Sequence, residues 1–227
     1  MTIVLTNDDG IDAPGIRALR AALPHQATAI VAPDQPLSGC SHQINRGGPI
    51  AIDHRSLGEY AIGGTPADCT RVALSYLYPE ARWVLSGINA GGNLGADVHV
   101  SGTVAAVREA TLLRVPGIAL SQYIRNRQPV DWAMATRLTS KVLAKLMQGS
   151  PQLGRFWNVN LPHVSPDDPE PTLVECPACT QPLPTEFTVV EGQFQYVGAY
   201  GQRQRDPGAD VDVCFSGNIS ISEWRLW

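Results

Sequence analysis

The amino-acid sequence predicts an α/β protein with a mostly parallel sheet, flanking helices and a C-terminal β-rich extension. Two observations support this prediction. Over the first part of the chain, short β-rich apolar runs alternate with stretches of helical periodicity, which is typical of βαβ units. After Pro162, prolines and acidic residues cluster and only short strand-like runs follow. We therefore expect an α/β core over residues 1–162 and an extended arm over residues 163–227.

The strands of the core are predicted from short apolar runs that are bounded by turn residues. They comprise residues 2–5, 29–32, 83–85, 117–120 and 156–160, and we expect the last of these to end the core. The helices are predicted from apolar residues that recur at helical spacing. They comprise residues 14–23, a helix that begins after Thr65, residues 101–112 and residues 132–148. Thr65 and Asp131 have the chemistry of N-caps.

The predicted arm contains strand-like runs at residues 187–190, 194–197 and 219–222. We expect no long regular element in the proline-rich stretch between Pro162 and Pro184. So short a β-rich segment cannot bury a core of its own. Its large apolar side chains must therefore pack against the core or against another subunit: Phe187, Phe194, Tyr196, Phe215, Trp224 and Trp227.

The composition is that of a globular protein, because 44% of the 227 residues are apolar and 17% are charged. A net charge of −4 without a basic run argues against binding of duplex nucleic acid. No apolar stretch approaches the ~20 residues that span a bilayer. We also see no signal peptide and expect the cytoplasm, where the five cysteines would be free thiols.

Two adjacent carboxylates, Asp8 and Asp9, follow the first predicted strand directly. In open α/β sheets, ligands bind in the crevice outside the carboxyl ends of the strands. Adjacent carboxylates repel each other unless a cation lies beside them, and Mg²⁺ takes oxygen ligands that include one or two carboxylates. The alternative is an acidic turn that leads into the next helix, since Asp-Gly favours turns. Under the first interpretation, Asp8 and Asp9 hold a divalent cation.

Loops after two other predicted strands carry neutral donors. Ser38, after the second strand, can bring a hydroxyl to the same carboxyl edge of the sheet as Asp8 and Asp9. Such a loop is, however, often a plain connection. Residues 86–95 include four glycines, which allow close approach of the backbone to a ligand. Within them, Asn89 offers an oxygen to a metal and Asn93 an amide donor to a phosphate. The glycines do not match the dinucleotide-binding fingerprint, and there is no P-loop lysine.

The triplet Ser101-Gly102-Thr103 begins a predicted helix. The N-terminus of a helix presents unpaired N–H groups and a partial positive charge, which favour phosphate binding. The alternative for the triplet alone is a simple N-cap. Together, a metal-binding rim and a phosphate-binding helix start are typical of a phosphatase.

The remaining candidates carry less information. Cys176 and Cys179 have the spacing of half a zinc site, but only His163 and Cys214 are plausible completions, so we interpret them as ordinary thiols. His42 lies in a candidate site loop and could contact a substrate, although a packing role is the simpler interpretation.

These motifs, in this order, resemble those of the SurE family of stationary-phase survival proteins, which are metal-dependent 5′/3′-nucleotidases. The matching segments lie within about the first 160 residues: 3–15, 31–34, 38–42, 64–69, 86–95, 101–104 and 158–162. Family members usually continue with a segment that contains a Thr-Arg pair, where this chain has Leu-Val-Glu-Cys-Pro at residues 173–177.

The resemblance implies a Rossmann-like core, a nucleoside monophosphate substrate and a divalent cofactor, Mg²⁺ or Mn²⁺. By position, it implies four metal ligands: Asp8, Asp9, Ser38 and Asn89. It also implies four phosphate-binding residues: Asn93, Ser101, Gly102 and Thr103. Asp8, Asp9 and Asn93 would carry the catalysis. The arms of the family commonly exchange between subunits, so we expect a homodimer or homotetramer.

Two alternatives remain open at this point. The nucleophile is either a metal-activated water, which we prefer, or Asp8 itself through an aspartyl-phosphate. Enzymes of the second type typically place their two aspartates one residue apart rather than side by side. The chain could also be a non-catalytic nucleotide sensor built on the same crevice.

Overall fold

The computed structural model describes residues 2–149, 152–165 and 168–227. The strands in this part of the chain are β1 (Thr2–Thr6), β2 (Ala27–Pro33), β3 (Ile52–Ser56), β4 (Glu59–Ile62), β5 (Trp83–Ala90), β6 (Gly117–Gln122), β7 (Arg155–Leu161), β8 (Leu173–Glu175), β9 (Phe187–Val190), β10 (Gln193–Tyr196) and β11 (Ile219–Arg225). The helices are α1 (Pro14–Ala21), α2 (Pro66–Val72), α3 (Gly102–Leu112), α4 (Trp132–Leu146) and α5 (Asp210–Phe215). Single turns of 3₁₀ helix occur at Gly95–His99 and Tyr200–Gln202, and α2 continues as a π-helical turn at Ala73–Leu77.

Nine of these strands form one sheet in the order β3-β4-β2-β1-β5-β6-β7-β11-β8. The central pairings, from β4 to β7, are parallel. Alternate residues of β1 enter different cores: Ile3 and Leu5 pack with α1 and α4, whereas Val4 packs on the opposite face with α2. This two-sided burial explains why the central strands are continuously apolar in sequence. The predicted α/β fold is confirmed.

The strand order reverses next to β1. The chain passes from β1 through α1 to β2 on one side, while β5, its neighbour on the other side, leads away to β6 and β7. A ligand crevice is expected where the strand order reverses, outside the carboxyl ends of the two strands. Residues 7–10 and 89–95 lie at those two ends.

The predicted helix starts agree with the structure. Thr65 caps α2 in a capping box with Asp68, and the Asp131 carboxylate accepts a hydrogen bond from Met134 N at the start of α4. The side chain of Ser101 likewise caps α3. Residues 52–62 form an antiparallel hairpin, β3–β4, that we did not predict from the sequence.

The expectation that β7 ends the core was wrong. Strand β11 pairs antiparallel with β7, from Ser220 opposite Asn160 to Arg225 opposite Arg155, and β8 adds in parallel beyond it. Ile219 and Ile221 of β11 are buried in the same apolar cluster as β1. The division at residue 162 stays a prediction, but the segment after it supplies two strands to the main sheet.

The rest of the C-terminal segment packs differently. Helix α5, which the sequence did not predict, lies against β11 and β7. Strands β9 and β10 form a separate hairpin, and their apolar side chains are exposed. Between Pro162 and Pro184, the described residues hold only the short strand β8, while residues 166 and 167 of that stretch lie outside the described residues.

Candidate active site

The two aspartates lie at the carboxyl end of β1, as predicted. Asp8 is buried, whereas Asp9 is partly exposed. Asp9 Oδ2 accepts a hydrogen bond of 3.1 Å from Ala90 N at the end of β5, so its carboxylate bridges the two strand ends. Asp8 O accepts a hydrogen bond of 2.8 Å from Leu37 N in the loop after β2. The loops after β1, β2 and β5 therefore meet at this pair.

Helix α3 begins against the same pair. The hydroxyl of Thr103 donates a hydrogen bond to Asp8 Oδ1, and Thr103 is fully buried. A Cβ atom on Gly102 would lie 2.9 Å from Asp8 Cβ and 3.0 Å from Asp8 Oδ2, so only glycine allows this close approach. Ser101 Oγ accepts a hydrogen bond of 3.1 Å from Val104 N as the N-cap. The structure thus brings Gly102 and Thr103 beside Asp8, and Ser101 directly precedes them as the N-cap.

The charge of Asp8 is poorly solvated. Burial raises the pKa of its carboxyl group to about 6, the hydrogen bond from Thr103 opposes this shift, and the charge of Asp9 adds to it. A buried carboxylate next to a second carboxylate is costly without a compensating positive charge. A cation between them would remove both destabilising contributions.

Asn89 occupies the end of β5 beside Asp9. Its amide nitrogen donates a hydrogen bond of 2.8 Å to Gly91 O, which leaves the side-chain oxygen as the end available to a ligand. Ser38 is exposed in the loop after β2. Among the described residues, the Ser38 hydroxyl has no hydrogen bond, so its position depends on the loop that carries it.

Asn93 is anchored more firmly than any other predicted residue of the site. Its backbone N–H donates to Asn160 Oδ1 over 2.7 Å, and its side-chain nitrogen donates to Ser121 Oγ over 2.8 Å. Its backbone oxygen accepts from the side chains of Asn158 and Asn160, at 2.8 and 3.0 Å. These bonds attach the glycine-rich loop to the ends of β6 and β7.

Sequence reasoning missed these supporting residues. Ser121, Asn158 and Asn160 are fully buried polar residues in β6 and β7. The available signal was the occurrence of Asn158 and Asn160 in a strand whose neighbours are apolar, since buried amides need hydrogen-bond partners. For His42, the sequence favoured a loop or packing role and left contact with a substrate open. It forms a 2.8 Å contact with Glu109 of α3, which ties its loop to that helix.

The predicted donor set suits a hard divalent cation. Asp8, Asp9, Ser38 and Asn89 offer only oxygen ligands, which are typical for Mg²⁺ and Mn²⁺. The buried, poorly solvated carboxylate of Asp8 and the available oxygen of Asn89 fit such an ion. Their role as ligands remains a prediction.

The cysteines do not form a zinc site in the described residues. All five are free, and no group of three or more His, Cys, Asp or Glu residues in residues 2–149, 152–165 and 168–227 could hold a metal ion. None of the helices in these ranges combines the length and apolarity needed to cross a membrane.

A second concavity lies far from these residues. A cleft of about 820 Å³ opens at the amino ends of the strands and is lined by Leu23, Arg82, Trp83 and Met147. It carries none of the predicted site residues. The chemistry of the carboxyl edge, rather than cleft volume, therefore locates the candidate active site.

The fold and the site define a Rossmann-like α/β protein with an acidic pair where the strand order reverses, facing the N-terminus of a helix. The sequence profile described as "Survival protein SurE" matches residues 3–181. The chain belongs to the SurE family.

Individual relatives agree with this assignment. A protein of Nostoc sp. named a putative 5′-nucleotidase is 51% identical over 226 residues, with all of both chains covered. A protein of Clostridium beijerinckii named 5′-nucleotidase SurE is 37% identical over 234 residues, covering 98% of this chain and 92% of the relative. The crystal structure of the SurE protein from Aquifex aeolicus superposes with a TM-score of 0.86 at 28% identity, covering 100% of this chain and 94% of that one.

Proposed function

We propose that this chain is a divalent-metal-dependent 5′-nucleotidase that hydrolyses nucleoside monophosphates to nucleoside and phosphate. The observation that carries the proposal is the contact between the acidic pair and the start of α3, in which Thr103 donates a hydrogen bond to Asp8 while Gly102 lies against it. One carboxylate cluster and one helix N-terminus at a single point suit a cation and a phosphate together. The names of the relatives support nucleotides as the phosphate esters.

The predicted site residues form two groups, one for the metal and one for the phosphate. Asp8, Asp9, Asn89 and Ser38 would hold Mg²⁺ or Mn²⁺, which when bound supplies a Lewis acid for the phosphate and activates water. Asn93 and the N–H groups at the start of α3 would bind the phosphate oxygens and stabilise the charge that develops on them during transfer. Asn93 is suited to this role because hydrogen bonds to Asn160 and Ser121 fix its loop before substrate arrives.

Water rather than Asp8 is the preferred nucleophile. Asp8 is buried and its Oδ1 accepts the hydrogen bond of Thr103, which suits a fixed ligand better than an attacking group. The stereochemistry of a single turnover on a nucleotide with a chiral, isotopically labelled phosphate distinguishes the two routes. Direct attack by water is one displacement and inverts the configuration at phosphorus, whereas passage through an aspartyl-phosphate is two displacements and retains it. Acid quenching that trapped a phosphorylated Asp8 would overturn the preference.

The test of the proposed function is a panel of phosphate esters crossed with a panel of metals. We expect phosphate release from nucleoside 5′-monophosphates with Mg²⁺ or Mn²⁺, and loss of activity in excess chelator. Activity that persists in chelator would refute the metal requirement. Binding of nucleotides without turnover under every metal condition would identify the protein as a sensor instead of an enzyme.

The substitution Asp9→Asn tests the proposed function at a single residue. The substitution removes a predicted metal ligand but retains the acceptor oxygen for Ala90 N, so we expect the fold to be unchanged. We expect turnover to fall by at least ~10²-fold, the scale on which loss of one electrostatic element of a transition state acts. The matched control is Asp12→Asn, because Asp12 is exposed on the same loop.

The sequence-based expectation of a cytoplasmic location is a separate proposal, and cell fractionation would test it.

A further inference from the structure

The loop that carries Asn93 is held from its far side by residues of the C-terminal segment. Asp97, four residues after Asn93, is buried and accepts hydrogen bonds from Leu94 N at 3.1 Å and from the hydroxyl of Tyr200. Arg203 Nη1 forms an ion pair of 2.9 Å with the same carboxylate oxygen. The Arg203 side chain is fully buried, with 0% exposed.

A second carboxylate, this one from the C-terminal segment, binds the residue of the loop that follows Leu94. Asp210, which is fully buried, accepts a hydrogen bond of 2.8 Å from Gly95 N and one of 2.8 Å from Cys179 N. Gly95 has a φ of +53°, and a Cβ atom there would lie 2.7 Å from Cys179 O. The two N–H groups that follow Asn93 are therefore both bound by carboxylates, one of which Tyr200 and Arg203 orient.

This arrangement places Asn93 between two anchors. On one side, Asn160 and Ser121 in the parallel sheet bind it directly. On the other side, the Asp97 network and Asp210 fix the backbone that continues from it. A rotation of the loop that turned the Asn93 side chain would have to break contacts at both ends.

A buried ion pair is an expensive way to obtain stability alone, because desolvation offsets the Coulomb attraction. Among the described residues, Nε and Nη2 of Arg203 have no hydrogen-bond partner, so the charge of the guanidinium is paired through Nη1 and Asp97 only. An apolar contact would stabilise the packing of the C-terminal segment on this loop equally well. The ion pair is directional, so it additionally fixes the geometry of the loop.

We propose that Tyr200 and Arg203, acting through Asp97, are positioning residues that hold Asn93 in its phosphate-binding orientation, with Asp210 supporting the same loop. The inference rests on the proposed role of Asn93. It assigns to the C-terminal segment a part in the reaction of its own subunit, through contacts within one chain. Because the network does not touch Asp8, Asp9 or Asn89, it should act on the phosphate and leave metal binding unaltered.

Tyr200→Phe is the mildest test. It removes the hydroxyl that donates to Asp97 but keeps the ring, which packs near Phe215 and beneath the Arg203 guanidinium. The matched control is Tyr196→Phe, which removes a hydroxyl that donates to Pro184 O at 3.2 Å in the exposed hairpin. The readouts are kcat and KM for a nucleoside monophosphate, the Mn²⁺ concentration for half activation, and the melting temperature.

We expect Tyr200→Phe to lower kcat/KM about tenfold, with an unchanged half-activating Mn²⁺ concentration and little change in melting temperature. Tyr196→Phe should match the wild type in kcat, KM and half-activating Mn²⁺ concentration. Arg203, the other proposed positioning residue, is tested with two substitutions. Arg203→Lys should retain a higher kcat/KM than Arg203→Met, because lysine keeps a positive charge for Asp97.

The outcomes separate this inference from the proposed function. If Asn93→Ala impairs turnover but folded Tyr200→Phe has wild-type kcat and KM, the positioning role is wrong and the proposed function stands. A lower melting temperature alone, or a shift in Mn²⁺ activation as large as that in KM, also contradicts positioning. If Asn93→Ala leaves turnover unchanged, the proposed role of Asn93 fails, and the inference fails with it.

Discussion

Asp8 combines a buried position with a charge that the metal-free protein does not compensate. Its pKa of about 6 lies above the ordinary value of 3.8 because burial, and to a lesser degree Asp9, disfavour the ionised form. The native state then binds the proton more tightly than the unfolded state does. The stability of the metal-free protein should therefore fall as the pH rises from about 4 to about 6.

The first prediction is that Asp8→Asn separates activity from stability. We expect turnover to fall by at least ~10²-fold, because the variant lacks a charge that we propose binds the metal. At pH 8, however, the metal-free variant should melt higher than the metal-free wild type, by a few degrees, because about two pKa units correspond to at most ~3 kcal/mol of relieved desolvation. Thermal unfolding in chelator at pH 4 and pH 8 measures this effect.

The comparison with added metal completes that experiment. Mn²⁺ should raise the melting temperature of the wild type and leave that of Asp8→Asn nearly unchanged, since ligand binding stabilises only a protein that binds it. Asp12→Asn should behave as the wild type. Equal stabilisation of both variants by Mn²⁺ would show that Asp8 is not a ligand.

A second prediction at this scale separates the roles of two asparagines. Asn89→Ala should raise the Mn²⁺ concentration needed for half-maximal activity, because Asn89 offers its free side-chain oxygen beside Asp9. Asn93→Ala should leave that concentration unchanged and instead lower turnover at saturating Mn²⁺. Metal titrations of both variants measure the difference, and superimposable titration curves would contradict the proposed division.

Single residues of the site were predictable where a motif is local in sequence. Asp8 and Asp9 are adjacent, and Ser101 to Thr103 form one helix start, so their chemistry could be recognised without a structure. Ser121 and Asn160 were missed because each supports Asn93 only through strand neighbours that are distant along the chain. Arg203 was missed for the same reason, since its partner Asp97 lies in another part of the sequence.

At the scale of elements, the approach of α1 to β5 sets the width of the crevice. Gly15 in the first turn of α1 lies so close to β5 that a Cβ atom on it would be 1.9 Å from Ile88 O. Ile88 precedes Asn89 directly. The spacing between these two elements therefore fixes where the end of β5 presents its proposed metal ligand.

The third prediction is that Gly15→Ala moves the end of β5. The added methyl group cannot fit without separation of α1 from β5, which should destabilise the protein by about 1–3 kcal/mol. It should also weaken activation by Mn²⁺ several-fold through displacement of Asn89. Chemical denaturation and metal titration measure the two effects. Gly47→Ala is the control, since nothing lies within 4 Å of a Cβ atom at Gly47. Wild-type values for Gly15→Ala in both measurements would contradict the constraint.

Elements with strong local signals were predicted well, and those that depend on long-range pairing were not. Capping residues located the starts of α2, α3 and α4. Strand β3 is exposed throughout and carries a polar sequence, so no periodicity distinguishes it from a loop until β4 pairs with it. Strand β11 was recognised as a strand, but sequence gave no sign that β7 would be its partner.

At the scale of the whole molecule, the β9–β10 hairpin projects an apolar surface. Phe187, Val189, Phe194 and Tyr196 of this hairpin are all exposed, Phe194 to 78%. Contiguous exposed apolar side chains commonly mark an interface between proteins. A symmetric homodimer, the commonest oligomer, would cover them with a second copy of the chain.

The fourth prediction is that the protein is a homodimer or homotetramer and that Phe194→Glu shifts it toward the monomer, because a buried unpaired charge is costly. Sedimentation velocity measures the shift. Leu57→Glu is the matched control, because Leu57 is 95% exposed but lies outside the hairpin. A monomeric wild type at micromolar concentration would contradict the prediction. Truncation after Pro162 is not a suitable test, since it also removes β8 and β11 from the main sheet.

The position of β11 between β7 and β8 has a consequence for the newly made chain. After the ribosome has synthesised β7, residues 162–218 must follow before its antiparallel partner exists. At about 5–20 residues per second, β7 would remain an open strand edge for roughly 3–12 s of translation. Unpaired edges are templates for association with other chains. The nascent protein should therefore depend on chaperones most in that interval, before β11 arrives to close the sheet.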